Sequence, residues 1–253
     1  MPRRFLGIVF GFAVACRSLG VQSPTQPRAD GGPGAWWLAP LAFRTDVTHW
    51  RVSIRAASDT ADRLLSVKTI TQTSLPAPAG GVMIASAWRP PLTSIDTIVI
   101  GGPGLVPLHE VLQFNGYTRR FQYAGDHVWG TVQHADSAAQ PVDQVETERV
   151  FAFNEVDLLV RSVPFRRGWS VVVPLFSEVD EAVEHDTIAV IAPDRVRRGG
   201  QDEDAWTVRF ADPAIVSTYT VLADSREIWA IDTEQRRTHA IVRYRIDTTD
   251  DRQ

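Results

Sequence analysis

Apolar and polar residues alternate with a period of two along most of the chain after residue 45. Trp50 and Val52 fall on one face of a predicted strand, whereas Arg51 falls on the other. This pattern is typical of antiparallel strands that bury one face and leave the other in water. The same alternation recurs in three further segments: 127–132, 206–210 and 239–246.

Further short segments rich in strand-forming residues are separated by turn residues. They lie near 63–72, 82–88, 95–100, 108–114, 117–123, 169–174, 186–191, 215–222 and 227–231. Glycine-rich breaks such as 101–104 and 198–200 fall where the alternation stops. About a dozen short strands predict a mainly β fold, either a curved antiparallel sheet or an incomplete β-barrel.

One segment has helical rather than strand periodicity. The apolar residues between Val156 and Val163 are spaced as on one face of a helix. Asn154 is placed to cap its N-terminus, and Pro164 stops it. The sequence therefore predicts one short helix near 154–163, with its apolar face packed on the concave side of the sheet.

The N-terminus has the layout of a secretory signal peptide. Cationic residues at 1–4 precede an uncharged apolar run at 5–15. This run is about half the roughly 20 residues that a transmembrane helix needs. We therefore predict a signal peptide over residues 1–15.

Small residues at 13–15 precede Cys16, the single cysteine of the chain. This arrangement resembles the lipobox of bacterial lipoproteins, in which the cysteine is acylated and becomes the mature N-terminus. It implies lipidation at Cys16 and an exported, membrane-anchored lipoprotein of the bacterial cell envelope. The outer membrane is favoured because Arg17, rather than an aspartate, follows the cysteine. The alternative is a simple secretory peptide that contains an incidental cysteine.

Composition divides the rest of the chain into three parts. Residues 16–35 are rich in Ser, Pro, Gly and Gln without periodicity, as expected of a flexible tether. Residues 36–247 carry the strand and helix signals of a single antiparallel β domain, and residues 248–253 form a polar tail.

Charge excludes several function classes. The net charge is −4, from 26 Lys and Arg against 30 Asp and Glu, and no basic patch indicates nucleic-acid binding. Lys68 is the only lysine, and its neighbours form no glycine-rich phosphate cradle. We therefore expect neither P-loop nor Schiff-base chemistry.

No catalytic or metal motif is evident. The chain has no G-x-S-x-G elbow, and its six histidines lack the spacing of zinc ligands. Acidic residues near 143–148 and 202–204 fit solvated loops. We expect no enzyme activity, no cofactor and no metal site, with a hydrolase of unrecognised site as a remote alternative.

The aromatic residues are the most suggestive candidates for a binding role. Tryptophan occurs eight times, and its large flat side chain either fills a core or lines an apolar pocket. The candidate ligand-binding residues are Trp50, Trp129, Trp169, Trp206, Trp229 and, from the helix, Leu159.

Three stretches together are similar to a bacterial envelope family of unknown function. Residues 153–164, the basic turn 165–168 and the strand 169–176 resemble its passage of helix, proline, basic turn and strand. Residues 205–208 resemble its next strand, and 227–237 its closing hairpin. That family is grouped with the LolA/LolB-like lipoprotein carriers, whose incomplete antiparallel barrel is closed by helices around an apolar cavity.

The resemblance covers about residues 45–247 and implies a LolA/LolB-like half-barrel that binds a hydrophobic ligand, a lipid or a lipoprotein. Two other functions stay open. One is a structural or assembly factor that contacts partner proteins through an edge strand or the 135–149 loop. The other is the remote hydrolase. The sequence does not indicate an oligomeric state.

Overall fold

The computed structural model describes residues 38–247 except 40, 77–79, 91, 103, 115 and 179. The predicted signal peptide, Cys16, the tether and the tail lie outside the described residues. Within the described part, no helix combines the length and the apolar character needed to cross a bilayer.

The first half of the described chain forms eight consecutive strands, and the first seven lie where alternation predicts them. They are β1 (Asp46–Arg55), β2 (Arg63–Leu75), β3 (Gly81–Trp88), β4 (Ser94–Gly101), β5 (Val106–Phe114), β6 (Tyr117–Ala124), β7 (His127–His134) and β8 (Gln140–Val145). Successive strands are joined by short connections, so each strand pairs with the next.

Strand β8 falls within 135–149, where the sequence predicts a polar loop; the structure corrects that prediction for residues 140–145. Val142 is buried, whereas Pro141 and Asp143 on either side of it are exposed. Proline has no N–H to donate and is tolerated here because β8 lies at the edge of the sheet. Pro141 and the polar residues around it do not form a strand pattern in the sequence, so the sequence does not predict β8.

The second half of the described chain begins with the two-residue strand β9 and a short helical segment, and it ends with six further strands. The elements are β9 (Phe151–Ala152), a 3-10 turn (Phe153–Glu155), helix α1 (Val156–Ser162), β10 (Ser170–Ser177), β11 (Ala182–Arg198), β12 (Gln201–Ala211), β13 (Ile215–Leu222), β14 (Ile228–Gln235) and β15 (Ile241–Ile246). The helix and strands β10–β15 cover the predicted positions, but β12 also includes residues 202–204, where the sequence predicts a solvated loop.

Helix α1 buries the predicted face, but its N-terminus differs from the prediction. Val156 and Val163 are buried, as the spacing indicates. Glu155, not Asn154, stands at the N-cap, and no side chain caps the helix. The amide of Asn154 instead donates to the carboxyl group of Glu110. A buried carboxyl group needs such a partner more than the helix end does.

All fifteen strands of the described residues form one open sheet. Its order is β8-β7-β6-β5-β4-β3-β2-β1-β15-β14-β13-β12-β11-β10-β9. Every neighbouring pair is antiparallel except β9 and β10, which are parallel. Pairing of β1 with β15 joins the two halves, and β8 and β9 remain as edges. The predicted mainly β fold, an antiparallel sheet with one short helix, is confirmed.

The sheet curls until its two halves face each other. Phe121 of β6 meets Phe176 of β10 edge to face, with ring centroids 4.8 Å apart, although many strands separate them in the sheet. Register shifts, for example after Val52 and after Val190, provide local bends. The concave side carries a continuous hydrophobic core that includes Leu159 of α1.

Candidate ligand-binding cleft

The concave side is not completely filled: a cleft opens between α1 and the strands around β1–β4. It consists of two adjoining cavities of about 270 Å³ and about 1110 Å³. Ligand pockets usually measure about 300–1,000 Å³. Residues that line both cavities are Trp50, Lys68, Ile70, Ser86, Asp96, Asn154 and Asp157. Because the cavities share these residues, we treat them as one cleft.

The walls of the cleft combine aromatic and aliphatic side chains with polar ones. Phe153, just before α1, packs against Phe210 with centroids 5.8 Å apart, and Trp88 meets Tyr244 at 6.1 Å. Further apolar lining residues are Ile70, Ile84, Ile98, Leu112, Val156, Leu158, Ile215, Tyr219, Ile228 and Ile231. The apolar part of these walls suits hydrocarbon, whose burial contributes about 0.8 kcal/mol per methylene.

The mouth of the larger cavity is polar. It is bordered by the segment leading into β1, the β11–β12 turn and the β13–β14 turn. Arg198 from the β11–β12 turn donates to Glu227 at 3.2 Å. The Arg198 guanidinium also lies 5.9 Å from the ring centroid of Trp229. The entrance therefore combines an exposed ion pair with an aromatic surface.

Lys68 on β2 brings a cation to the inner part of the cleft. In the sheet register it lies opposite Trp50 on β1 and opposite Trp88 on β3. Its Nζ atom lies 5.7 Å from the Trp88 ring centroid, within range of a cation–π interaction. Trp50 is 6% exposed, and its indole N–H has no hydrogen-bond partner among the described residues.

A cluster of buried carboxyl groups lies beside the cleft, around Asn154. Glu110 is fully buried, and it accepts a hydrogen bond from the Tyr123 hydroxyl at 2.7 Å and another from the Asn154 amide. The same amide lies 3.4 Å from Glu178. Asp96 on β4 pairs with Leu112 on β5, which is two residues from Glu110 along the same strand. Because side chains two residues apart on a strand point to the same side, Asp96 and Glu110 share one face of the sheet.

Burial shifts these carboxyl groups toward the protonated form. Burial raises the pKa of Asp96 to about 8, with repulsion from Glu110 adding to it and the Lys68 ammonium opposing it. Burial, followed by repulsion from Glu110, likewise raises the pKa of Glu178 to about 8. Burial also raises the pKa of Glu110, against the hydrogen bonds from Asn154 and Tyr123. Neutral acids of this kind can donate as well as accept hydrogen bonds.

Helix α1 contributes polar side chains to the wall of the cleft that faces the sheet. Asp157 accepts a hydrogen bond from the hydroxyl of Tyr219. Arg161 donates to the carbonyl oxygen of Arg226 at 2.7 Å, and burial lowers its pKa. Helix and sheet are therefore held together along the cleft by directional contacts as well as by apolar packing.

The structure brings two of the predicted ligand-binding residues to the cleft. Trp50 lines both cavities and Trp229 lines the larger one. Leu159 is completely buried in the core, and its neighbour Leu158 lines the cleft in its place. The predicted lipidation site, Cys16, lies outside the described residues.

The other three predicted tryptophans do not line either cavity. Trp129 is 37% exposed and packs against His127. The preceding residue, Val128, is buried, and neighbouring side chains on a strand point to opposite faces, so Trp129 lies on the outer face of β7. Trp206 stacks on Phe165 with centroids 5.8 Å apart. Trp169 packs against the hydrophobic core.

Sequence reasoning missed Lys68, Asp96 and Asn154 as cleft residues. One signal was available: Ser66, Lys68 and Ile70 alternate on β2 and share a face. Lys68 is the only lysine of a chain whose other basic residues are arginines, and it shares this face with Ile70. A lone cation on a face with an apolar residue is a signal of a position that differs from the solvent-exposed arginines. Its neighbours Trp50 and Trp88 follow only from the strand register, which the sequence does not reveal.

The described residues contain no group of three or more His, Cys, Asp or Glu side chains arranged to hold a metal ion. The carboxyl cluster around Asn154 is organised by hydrogen bonds to Tyr123 and Asn154. The cluster therefore consists of hydrogen-bonded carboxyl groups of raised pKa beside the cleft.

The fold and the cleft define an open, curled antiparallel sheet with a partly filled concave face. No family model and no curated protein matches the sequence. A solved structure to which the chain is similar is a beta-barrel-like protein of domain of unknown function DUF1849 from Brucella abortus, with 10% sequence identity and a TM-score of 0.49. The match covers 79% of this chain and 96% of that chain.

Proposed function

We propose that this protein is a lipid-anchored component of the bacterial cell envelope that binds an acyl-chain ligand in its cleft. The observation that carries the proposal is the cavity of about 1110 Å³ between α1 and the concave face of the sheet. The resemblance to LolA/LolB-like carriers favours the same function.

The shape and the lining of the cleft favour a long, flexible ligand. The smaller cavity is lined by side chains from both halves of the sheet, including Leu112 and Tyr244, and continues into the larger one. Hydrocarbon bound there would gain free energy from each methylene removed from water. The polar mouth would remain in contact with solvent or with a headgroup.

The lipid anchor would determine where this binding takes place. Acylation of Cys16 would tie the domain to a membrane by more than one chain, which stable anchoring requires. The tether over 16–35 would allow the cleft to reach lipids or lipoproteins near the surface.

Uptake of a fluorescent fatty acid by purified, delipidated protein tests the binding proposal. Ile70 lines both cavities, so Ile70→Glu should weaken uptake by at least about tenfold because it places a charge against hydrocarbon. Ile95 is 54% exposed and lines neither cavity. The matched variant Ile95→Glu should bind as the wild type does.

Circular dichroism of both variants separates loss of binding from loss of fold. Failure of the folded wild-type protein to take up the probe would overturn the carrier proposal. It would instead favour a structural or assembly role, for which the edge strand β8 offers unpaired backbone groups.

A further inference from the structure

Lys68 forms no ion pair within the described part of the chain, although its ammonium interacts electrostatically with the Asp96 carboxyl at longer range. Its Nζ atom lies 5.7 Å from the ring centroid of Trp88. A half-buried ammonium is costly without an anion. All the other basic residues of the chain are arginines, so this cation is chemically unique in the cleft.

Two further groups near Lys68 also lack partners. The indole N–H of Trp50, directly opposite Lys68 on β1, is buried and makes no hydrogen bond among the described residues. The Oδ1 atom of Asp96 is likewise buried without a partner. Burial raises the pKa of Asp96 to about 8, which favours the protonated form of this carboxyl, and that form can donate.

The inner part of the cleft is therefore rich in donors. Lys68 and Trp50 offer hydrogens, as does the protonated form of Asp96, whereas Asp157 on α1 accepts from the Tyr219 hydroxyl. Hydrogen bonds to a charged group contribute more than neutral ones, so an anionic oxygen would gain most from this arrangement.

We infer that the ligand of the cleft is an amphiphile with a singly charged anionic headgroup, such as a fatty-acid carboxylate, which Lys68 binds between Trp50 and Trp88. This inference rests on the proposed function and specifies its ligand class. The hydrocarbon part would lie along the apolar walls formed by Ile70 and Ile84. Lys68 would then set headgroup specificity, while those walls set affinity for the chain.

Competition by three amphiphiles of equal chain length tests the inference. Dodecanoate, dodecanol and dodecyltrimethylammonium differ only in the headgroup, and each is titrated against the bound fluorescent fatty acid. We expect wild-type protein to bind dodecanoate about tenfold more tightly than dodecanol, and the cationic amphiphile most weakly. Equal affinity for acid and alcohol, or preference for the cation, would overturn the inference.

Two variants of Lys68 locate the effect. Lys68→Met keeps an unbranched side chain without charge and should remove the preference for dodecanoate, whereas Lys68→Arg should retain it. A preference that persists in folded Lys68→Met would assign headgroup recognition to another residue. If no amphiphile binds at all, the proposed function fails together with the inference, which is a distinct result.

A measurement on unsubstituted protein keeps the test independent of folding of the variants. Reductive methylation with a ¹³C label preserves the charge of the amine and gives one lysine NMR signal, since the chain contains one lysine. Dodecanoate should shift this signal, because an adjacent carboxylate changes the electrostatic environment of the amine. The same shift with dodecanol, or no shift at saturating dodecanoate, would contradict a headgroup contact.

Discussion

Arg161 and Arg226 exchange hydrogen bonds with each other's main chain. The Nε atom of Arg161 donates to the carbonyl oxygen of Arg226 at 2.7 Å, and the Arg226 guanidinium donates to the carbonyl oxygen of Arg161 at 2.6 Å. Arg226 also donates to the carbonyl oxygen of Val163 at 3.0 Å. Because the last carbonyls of a helix have no partner within it, Arg226 both ends α1 and fixes it to the β13–β14 turn.

Removing this connection should loosen the helical wall of the cleft. Arg226→Ala leaves two main-chain carbonyls unpaired and should lower the free energy of unfolding by about 2 kcal/mol, measured by urea denaturation. It should also speed dissociation of a bound acyl probe in stopped-flow experiments. Arg51→Ala, at an exposed position on β1, should change stability by no more than about 0.5 kcal/mol. An unchanged dissociation rate in Arg226→Ala would mean that α1 does not control the cleft.

The buried acids predict that the protein is less stable at alkaline than at mildly acidic pH. In the folded protein Asp96 and Glu178 have pKa values of about 8, well above those of the unfolded chain, about 3.9 and 4.3. Between these values the folded state holds protons that the unfolded state has released. Stability is therefore full below about pH 4 for these groups and falls as pH rises toward 8.

Thermal unfolding between pH 5 and pH 8 checks the direction of this effect. Each group contributes a slope of at most about 1.4 kcal/mol per pH unit. Glu178→Gln should flatten the dependence and raise the melting temperature at pH 8, because the amide cannot ionise. Melting temperatures that rise from pH 5 to pH 8, equally in wild type and Glu178→Gln, would show that these acids are ionised in the folded protein.

The close approach of β6 and β7 depends on a glycine. Gly130 lies opposite Phe121 in the register, and a Cβ atom at this position would clash with the carbonyl oxygen of Arg120. Gly130→Ala should therefore force the two strands apart and destabilise the protein by about 2 kcal/mol or more. Gly125→Ala is the control, since a Cβ at Gly125 meets no atom within 4 Å; its left-handed backbone should cost only about 1 kcal/mol. Equal losses in the two variants would argue against the clash.

The predicted lipid anchor has a direct chemical test. Intact-mass measurement of protein from a bacterial membrane fraction should show a chain that begins at Cys16 and carries acyl groups. Cys16→Ser should abolish these groups and release the protein from the membrane. An unmodified thiol in membrane-extracted protein would refute the anchor while leaving the cleft proposal open, because the cleft lies entirely within residues 42–247.

Most strands could be predicted from the sequence because each buries one face, which imposes a period of two. Strand β8 was not predicted because Pro141 is tolerated only in an edge strand, and the sequence does not show which strands lie at the edges of the sheet. Asn154 was assigned to a helix cap because its position fits one. Its actual partner, Glu110, is 44 residues away.

The cleft was less predictable than the fold. Trp50 was identified because a large aromatic residue in a strand is a natural candidate for a pocket. Lys68 and Asp96 come together through the pairing of β1–β4, where each strand's register decides which side chains meet. A polar residue on an inward face looks like an outward-facing one until that register is known.

Photo-crosslinking with a diazirine-labelled fatty acid, followed by peptide mapping, tests the cleft as the binding site most directly. We expect adducts on the inner residues of β2 and β3 and on α1, competed by unlabelled fatty acid. Adducts confined to the outer face around Trp129, or labelling that unlabelled fatty acid does not reduce, would contradict binding in the cleft.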